Sequence, residues 1–186
     1  RSYKWFPRGT IHLAIVDPGV GTGRDILVVE ADGHVFMAPD NGLLARLLDH
    51  AEAALVFKLD LGALERLHIP APSNTFHGRD IFAPIAAELA AGKTTPVSIG
   101  VPTDSWIPAW VDEPEVRENQ VSGSIMTVDA FGNLISNIDA ALVASFERPV
   151  LQVAGRQVPL LTTYGNVRPR EYLGLINSFG VVEVAL

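Results

Sequence analysis

The chain has 186 residues, 48% of them hydrophobic, enough to pack one sizeable domain or two small ones and too apolar for disorder. A formal charge of -7 without any run of Lys or Arg argues against a nucleic-acid partner and favours a small molecule. The absence of cysteine excludes a disulfide framework, thiol catalysis and Cys-ligated zinc, and with no apolar run near the roughly 20 residues needed to span a bilayer we expect a soluble, cytoplasmic protein without membrane contact.

Ile11 to Val16 is a short continuous apolar run, the pattern of a strand buried on both faces of a parallel sheet. It ends at Asp17-Pro18-Gly19-Val20-Gly21-Thr22-Gly23-Arg24, a loop whose glycines let a ligand approach the backbone. The loop lacks the Gly-Lys-Ser/Thr ending of a phosphate-binding loop and the spacing of a dinucleotide fingerprint, so no nucleoside triphosphate is implied. Structurally, Asp17 and Arg24 could simply form a surface ion pair.

Ile26–Glu30 and His34–Ala38 read as strands joined by Ala31-Asp32-Gly33, since Asp-Gly is a strong hairpin signal. Asp40 or Asn41 then precedes a helical run from Leu43 to His50, and capping is the reading the local sequence favours. Leu55–Leu59 is a further strand. Ile81–Ala91 is a helix closed by Gly92.

Ser73-Asn74-Thr75-Phe76-His77-Gly78-Arg79-Asp80 places an imidazole, a guanidinium and a carboxylate at the mouth of that helix, where anions and nucleophiles are favoured. The plainer alternative makes Asp80 a cap, Arg79 its partner and His77 a satisfied core histidine. Pro102, Pro108 and Pro114 make a helix between 101 and 116 untenable, and we place a linker at 105–118 between an α/β domain at 1–104 and an all-β domain at 119–186. In the latter, Gly123–Asp129, Val150–Val153, Val158–Leu161 and Gly180–Ala185 read as strands. Asp129-Ala130-Phe131-Gly132-Asn133 could hold a purine by stacking and edge pairing, or could be a tight turn with Asx side chains. Strand patterns running into both ends give the expectation of a chain incomplete at its start and its end.

Five motifs in order, Val16–Thr22, Ala38–Leu44, Thr75–Asp80, Asp129–Asn133 and Asn177-Ser178-Phe179-Gly180, resemble the S-adenosyl-L-methionine (SAM) hydroxide adenosyltransferases, relatives of the SAM-dependent chlorinase and fluorinase. The resemblance implies a Rossmann-like α/β domain with a mainly parallel sheet and a small C-terminal β-barrel-like domain. It implies a homotrimer with the site at the subunit interface, and hydrolysis of SAM to adenosine and L-methionine. SAM is then the substrate, and neither cofactor nor metal is expected.

Carried over residue by residue, Asp17, Arg24 and His77 hold the attacking water. Asp129, Phe131 and Asn133 face the adenine, Asn177 and Ser178 the methionine end, and Asp40, Asn41, Phe76 and Gly78 line the site. Which of His77 and Asp17 is the base stays open. The halogenases look like Tyr-Ser where this chain has His77-Gly78, which favours water over halide. Asp25 stands where hydrolases usually carry a second basic residue. Two rival classes are a metal-dependent hydrolase using His12, Asp17, His77 and Asp80, and a non-catalytic adenosine-binding module.

Overall fold

The computed structural model describes residues 2–110 and 112–186, and the chain divides into two compact units, Ser2–Trp110 and the residues after it. The first unit holds β1 (Ile11–Leu13), β2 (Ile26–Ala31), β3 (His34–Pro39), α1 (Ala45–His50), β4 (Ala54–Leu59), α2 (Gly62–Arg66), α3 (Ala83–Ala90), α4 (Pro96–Ile99) and β5 (Gly100–Pro102). The five strands form one sheet in the order β1-β3-β2-β4-β5.

The expected mainly parallel sheet is corrected by this pairing. β1 and β3 are parallel, whereas β2–β3, β2–β4 and β4–β5 are antiparallel. The reason begins at Asp32-Gly33, whose φ angles of 52° and 80° give the two-residue turn that matches strand twist and forces β2 and β3 into a hairpin. Both faces of the sheet are nonetheless covered. Val28, Met37 and Phe57 pack with Ile81, Phe82, Ile85 and Ile99 on one side. Leu27, Val29, Phe36 and Ala38 pack with Leu44 and Trp106 on the other.

The run Ile11–Val16 is likewise corrected. β1 ends at Leu13 on the sheet edge, where Leu13 is exposed, and Ile15 and Val16 are exposed as the chain leaves its strand neighbour, β3, after Ala14 donates to Met37 O at 2.9 Å. The helix expected at Ile81–Ala91 begins instead as a π-helical turn at Gly78–Phe82, continues as α3 and closes near Gly92 at φ 66°. Capping of α1 by Asp40 or Asn41 does not occur: the helix starts after Leu44 without a side-chain cap. Residues 103–110 run without helix and pack on this unit, with Ile107 N donating to Asp40 Oδ1 at 2.9 Å and Trp110 Nε1 to Asn41 O.

The second unit holds β6 (Glu115–Arg117), β7 (Gln120–Ser122), β8 (Ile125–Val128), β9 (Leu134–Asp139), α5 (Ala140–Val143), β10 (Val150–Val153), β11 (Arg156–Pro159), β12 (Leu173–Ile176) and β13 (Val181–Ala185). An antiparallel sheet runs β12-β13-β9-β8, and β6–β7 and β10–β11 are separate hairpins. Among the described residues these strands do not close into a barrel, and no helix is long and apolar enough to cross a membrane.

Candidate active site

Asp17, Arg24 and His77 meet. Arg24 Nε donates to Asp17 Oδ1 at 2.7 Å, its Nη2 donates to Asp17 Oδ2, and the same Nη2 lies 3.2 Å from His77 Nδ1. The Arg24 and Asp17 side chains are only 10% and 7% exposed, so the surface ion pair that the sequence allowed is in fact a buried, two-pronged one. Arg24 also lies over the Phe82 ring, 5.9 Å from its centroid.

Arginine has no acceptor, so the contact with His77 Nδ1 is a hydrogen bond only if Nδ1 offers its lone pair. The imidazole proton then sits on Nε2. In that tautomer His77 presents an N–H on the side away from Arg24.

Two loops separated by fifty residues are brought together by close backbone approach. Thr22 closes the 17–24 loop by bonding Gly19 O through its N–H and hydroxyl at 3.1 and 2.7 Å. Gly21 has φ 78°, and a Cβ there would fall inside 3.0 Å of the Asn74 carbonyl oxygen, so only glycine lets this loop rest on the segment leading to His77. On that segment, Asp80 accepts from the Arg79 guanidinium and from Ser73 N and Oγ, which holds its carboxyl well below the usual range. Asp80 thus ties the segment to itself without capping the helix.

The other expected residues divide. Asn41 Nδ2 donates to Val16 O at 2.8 Å and so steadies the strand end before Asp17, while Asp40 holds the 103–110 segment. Phe76 is exposed beneath the Arg79 guanidinium, 4.9 Å from its centroid. Gly78 adjoins Ile15, and a Cβ there would find ordinary contacts at 3.7 Å. Asp25 pairs with Lys58 Nζ at 2.8 Å, an ion pair that raises the Lys58 pKa.

Among the described residues no three His, Asp or Glu converge on a possible metal position. His12 of the rival metal set lies elsewhere, stacked on Phe36 with centroids 4.9 Å apart and 3.3 Å from His34 Nδ1.

In the second unit, Asp129 Oδ1 accepts from Asn133 N at 2.9 Å and Phe131 N at 2.8 Å, and Oδ2 accepts from Asn133 Nδ2 at 3.0 Å. These donors, the Asn133 N–H foremost, lower the Asp129 pKa. The turn so formed is the Asx turn the sequence permitted, and it displays Phe131 at 91% exposure. A cavity of about 500 Å³ adjoins it, lined by Asp129, Phe131, Asn133, Tyr164 and Arg168 among others. That volume suits a nucleoside-sized ligand.

Tyr164 and Arg168 escaped the sequence reading, and nothing local marks them. Asn177 uses its side chain internally, accepting from Phe179 N and Val181 N and donating to Glu183, while Ser178 is exposed on the same turn.

Comparison with known proteins shows the family. The model of the SAM hydroxide adenosyltransferase N-terminal domain matches residues 1–100, and that of the C-terminal domain matches 123–186. The chain belongs to the SAM hydroxide adenosyltransferase family. A relative from Thermus thermophilus named (R)-S-adenosyl-L-methionine hydrolase is 38% identical over 98% of this chain and 70% of its own length. One of the same name from Salinispora tropica is 37% identical over 95% and 67%. A solved structure of a conserved protein from Thermotoga maritima superposes with a TM-score of 0.85 at 32% identity, covering 97% of this chain and 71% of the other. Within the family frame the buried trio belongs to the N-terminal domain and the Asx turn with its cavity to the C-terminal domain.

Proposed function

We infer that this protein is a SAM hydrolase: a water or hydroxide oxygen attacks the ribose C5′ of SAM, the C5′–S bond breaks with its electron pair passing to sulfur, and adenosine and L-methionine form. The relatives' shared name supports the reaction, and the meeting of Asp17, Arg24 and His77 is the observation that carries it to this chain. A sulfonium leaves as a neutral thioether, so the chemistry needs neither a general acid nor a Lewis acid at the leaving group; the demand is for a positioned, poorly hydrated nucleophile. We propose no cofactor or metal on that ground.

The proposed roles rest on these bonds. His77, with its Nδ1 occupied by Arg24, donates from Nε2 to the attacking oxygen and fixes its line of approach. Arg24 favours hydroxide character at the centre. Asp17 retains the second lone pairs of both oxygens and is the acceptor for the water proton. In the second unit, Asp129, Phe131 and Asn133 take the adenine, supported by the cavity beside them, and Ser178 the methionine end.

The protein is further proposed to be a cytoplasmic homotrimer with its site at the subunit interface. Light scattering tests the assembly. The reaction is tested by chromatography of SAM incubated with the protein, with and without chloride or fluoride. Adenosine and methionine in equal amounts in every arm are expected; a halogenated deoxyadenosine in the halide arms, or no product at all, overturns the assignment.

A further inference from the structure

All five residues of β13 are buried, and one of them is a carboxylate. Glu183 is 4% exposed, opposite Leu175 on β12 and Ile135 on β9. A carboxylate in such a place is tolerated only when both oxygens are engaged. Oε1 accepts from the Tyr164 hydroxyl at 2.6 Å and Oε2 from Asn177 Nδ2 at 3.1 Å.

The two donors belong to different loops. Tyr164 opens a short 3-10 turn and lines the cavity shared with Asp129, Phe131 and Asn133. Asn177 opens the turn that displays Ser178, and its Oδ1 is fixed by Phe179 N at 3.0 Å and Val181 N at 3.3 Å. The Asn177 amide cannot reverse without leaving those two N–H groups unpaired, so the atom facing its Nδ2 on the strand must be an acceptor. A carboxylate accepts from both donors at once; a carboxamide could accept from Asn177 only by turning its amino group to the Tyr164 oxygen, which reverses that bond.

We propose that Glu183 is a positioning residue for the adenosyl substrate, holding the cavity wall at Tyr164 and the Ser178 turn on one carboxylate and so setting the separation at which the two ends of the substrate are recognised. This rests on the SAM reading of the site. The role is distinct from catalysis, because the attacking water is held by residues of the first unit.

The test uses Glu183→Gln and Tyr164→Phe in the whole protein, with three readouts: kcat and KM for SAM, adenosine affinity by calorimetry, and alkaline titration of tyrosine absorbance. The Tyr164 hydroxyl, held by Glu183, is pushed up from 10.0 to about 12, and the step belonging to it is the one that Tyr164→Phe removes. Loss of one charge-assisted bond in Glu183→Gln is expected to raise KM and the adenosine Kd about tenfold with kcat within about twofold. The Tyr164 step should move down towards 10.0.

Should Glu183→Gln not fold, Tyr164→Phe carries the test alone, with the same rise in KM expected. Unchanged KM and adenosine Kd in a folded variant overturn the proposal, as does a fall in kcat at constant KM. A wild-type protein that neither cleaves SAM nor binds adenosine overturns the reading of the site and this proposal with it. That outcome is told apart by the absorbance titration, whose Tyr164 step still moves in Glu183→Gln.

Discussion

Gly21→Ala isolates the contact on which the proposed catalytic trio depends. At φ 78° an alanine costs about 1–2 kcal/mol in backbone strain. Its Cβ would also lie closer than 3.0 Å to the Asn74 carbonyl oxygen, and backbone on both sides leaves no flexible side chain to yield. Restoring ordinary contact requires the two loops to part by about 1 Å. The Arg24 Nη2–His77 Nδ1 separation, now 3.2 Å, would then exceed the range of a hydrogen bond. A 1 Å misplacement of reacting groups costs about 100-fold in rate. With roughly 2 kcal/mol lost, Tm should also fall by about 4–8 °C for a chain of this size.

Gly23→Ala is the control, since it sits in the same loop with a negative or extended φ and no atom within 4 Å of its added Cβ. Steady-state assay of adenosine release and a thermal melt on both variants decide the matter. If Gly21→Ala keeps kcat/KM within about threefold of wild type, the approach of the two loops does not set the geometry of the site and the reasoning fails.

Three further outcomes are expected. His77→Gln, which keeps a donor N–H near the Nε2 position, should retain at least about tenfold more activity than His77→Ala; equal activities would refute the donor role. Phe131→Ala should weaken adenosine binding by about 1–3 kcal/mol, the usual worth of stacking a base on an aromatic ring, while leaving Tm unchanged because the side chain is 91% exposed. Calorimetry of adenosine binding and a melt check both halves.

The His12 pKa is lowered from 6.5 by burial and then by the charge of His34. A depressed folded pKa gives stability that is present above 6.5 and lost as pH falls below it. His12→Phe keeps the stack on Phe36 and removes the proton. Urea midpoints at pH 7.5 and 5.5 should therefore fall less in the variant than in wild type, and an equal fall would show that His12 is not the group responsible.

The sequence announced some elements and concealed others for physical reasons. The β2–β3 hairpin was legible because Asp32-Gly33 can adopt two left-handed conformations in succession, which is a local property. Strand direction was not. A run buried on both faces signals a parallel sheet only because helices usually cover such sheets; here α-helical and irregular segments cover both faces of a mainly antiparallel one and write the same apolar pattern. β9 and β12 were hidden for a different reason. Ser136 and Asn137 are polar residues inside a strand, satisfied by Val182 O and Ser124 N, and Gly174 lies in a strand because the Leu151 side chain occupies the place its Cβ would take.

The site shows the same division between local and long-range information. Asp40 looked like a cap because its surroundings are those of a cap, but its carboxylate answers to the backbone of Ile107, 67 residues on. Asp17 and His77 stand inside the five motifs and Arg24 two residues beyond the first, yet their meeting was not readable, since Arg24 and His77 are 53 residues apart and joined by a backbone approach that no periodicity encodes. What the structure adds is direction as much as distance. A hydrogen bond between a donor-only guanidinium and Nδ1 requires the Nε2–H tautomer, and the donor role proposed for His77 rests on that neighbour rather than on the histidine itself.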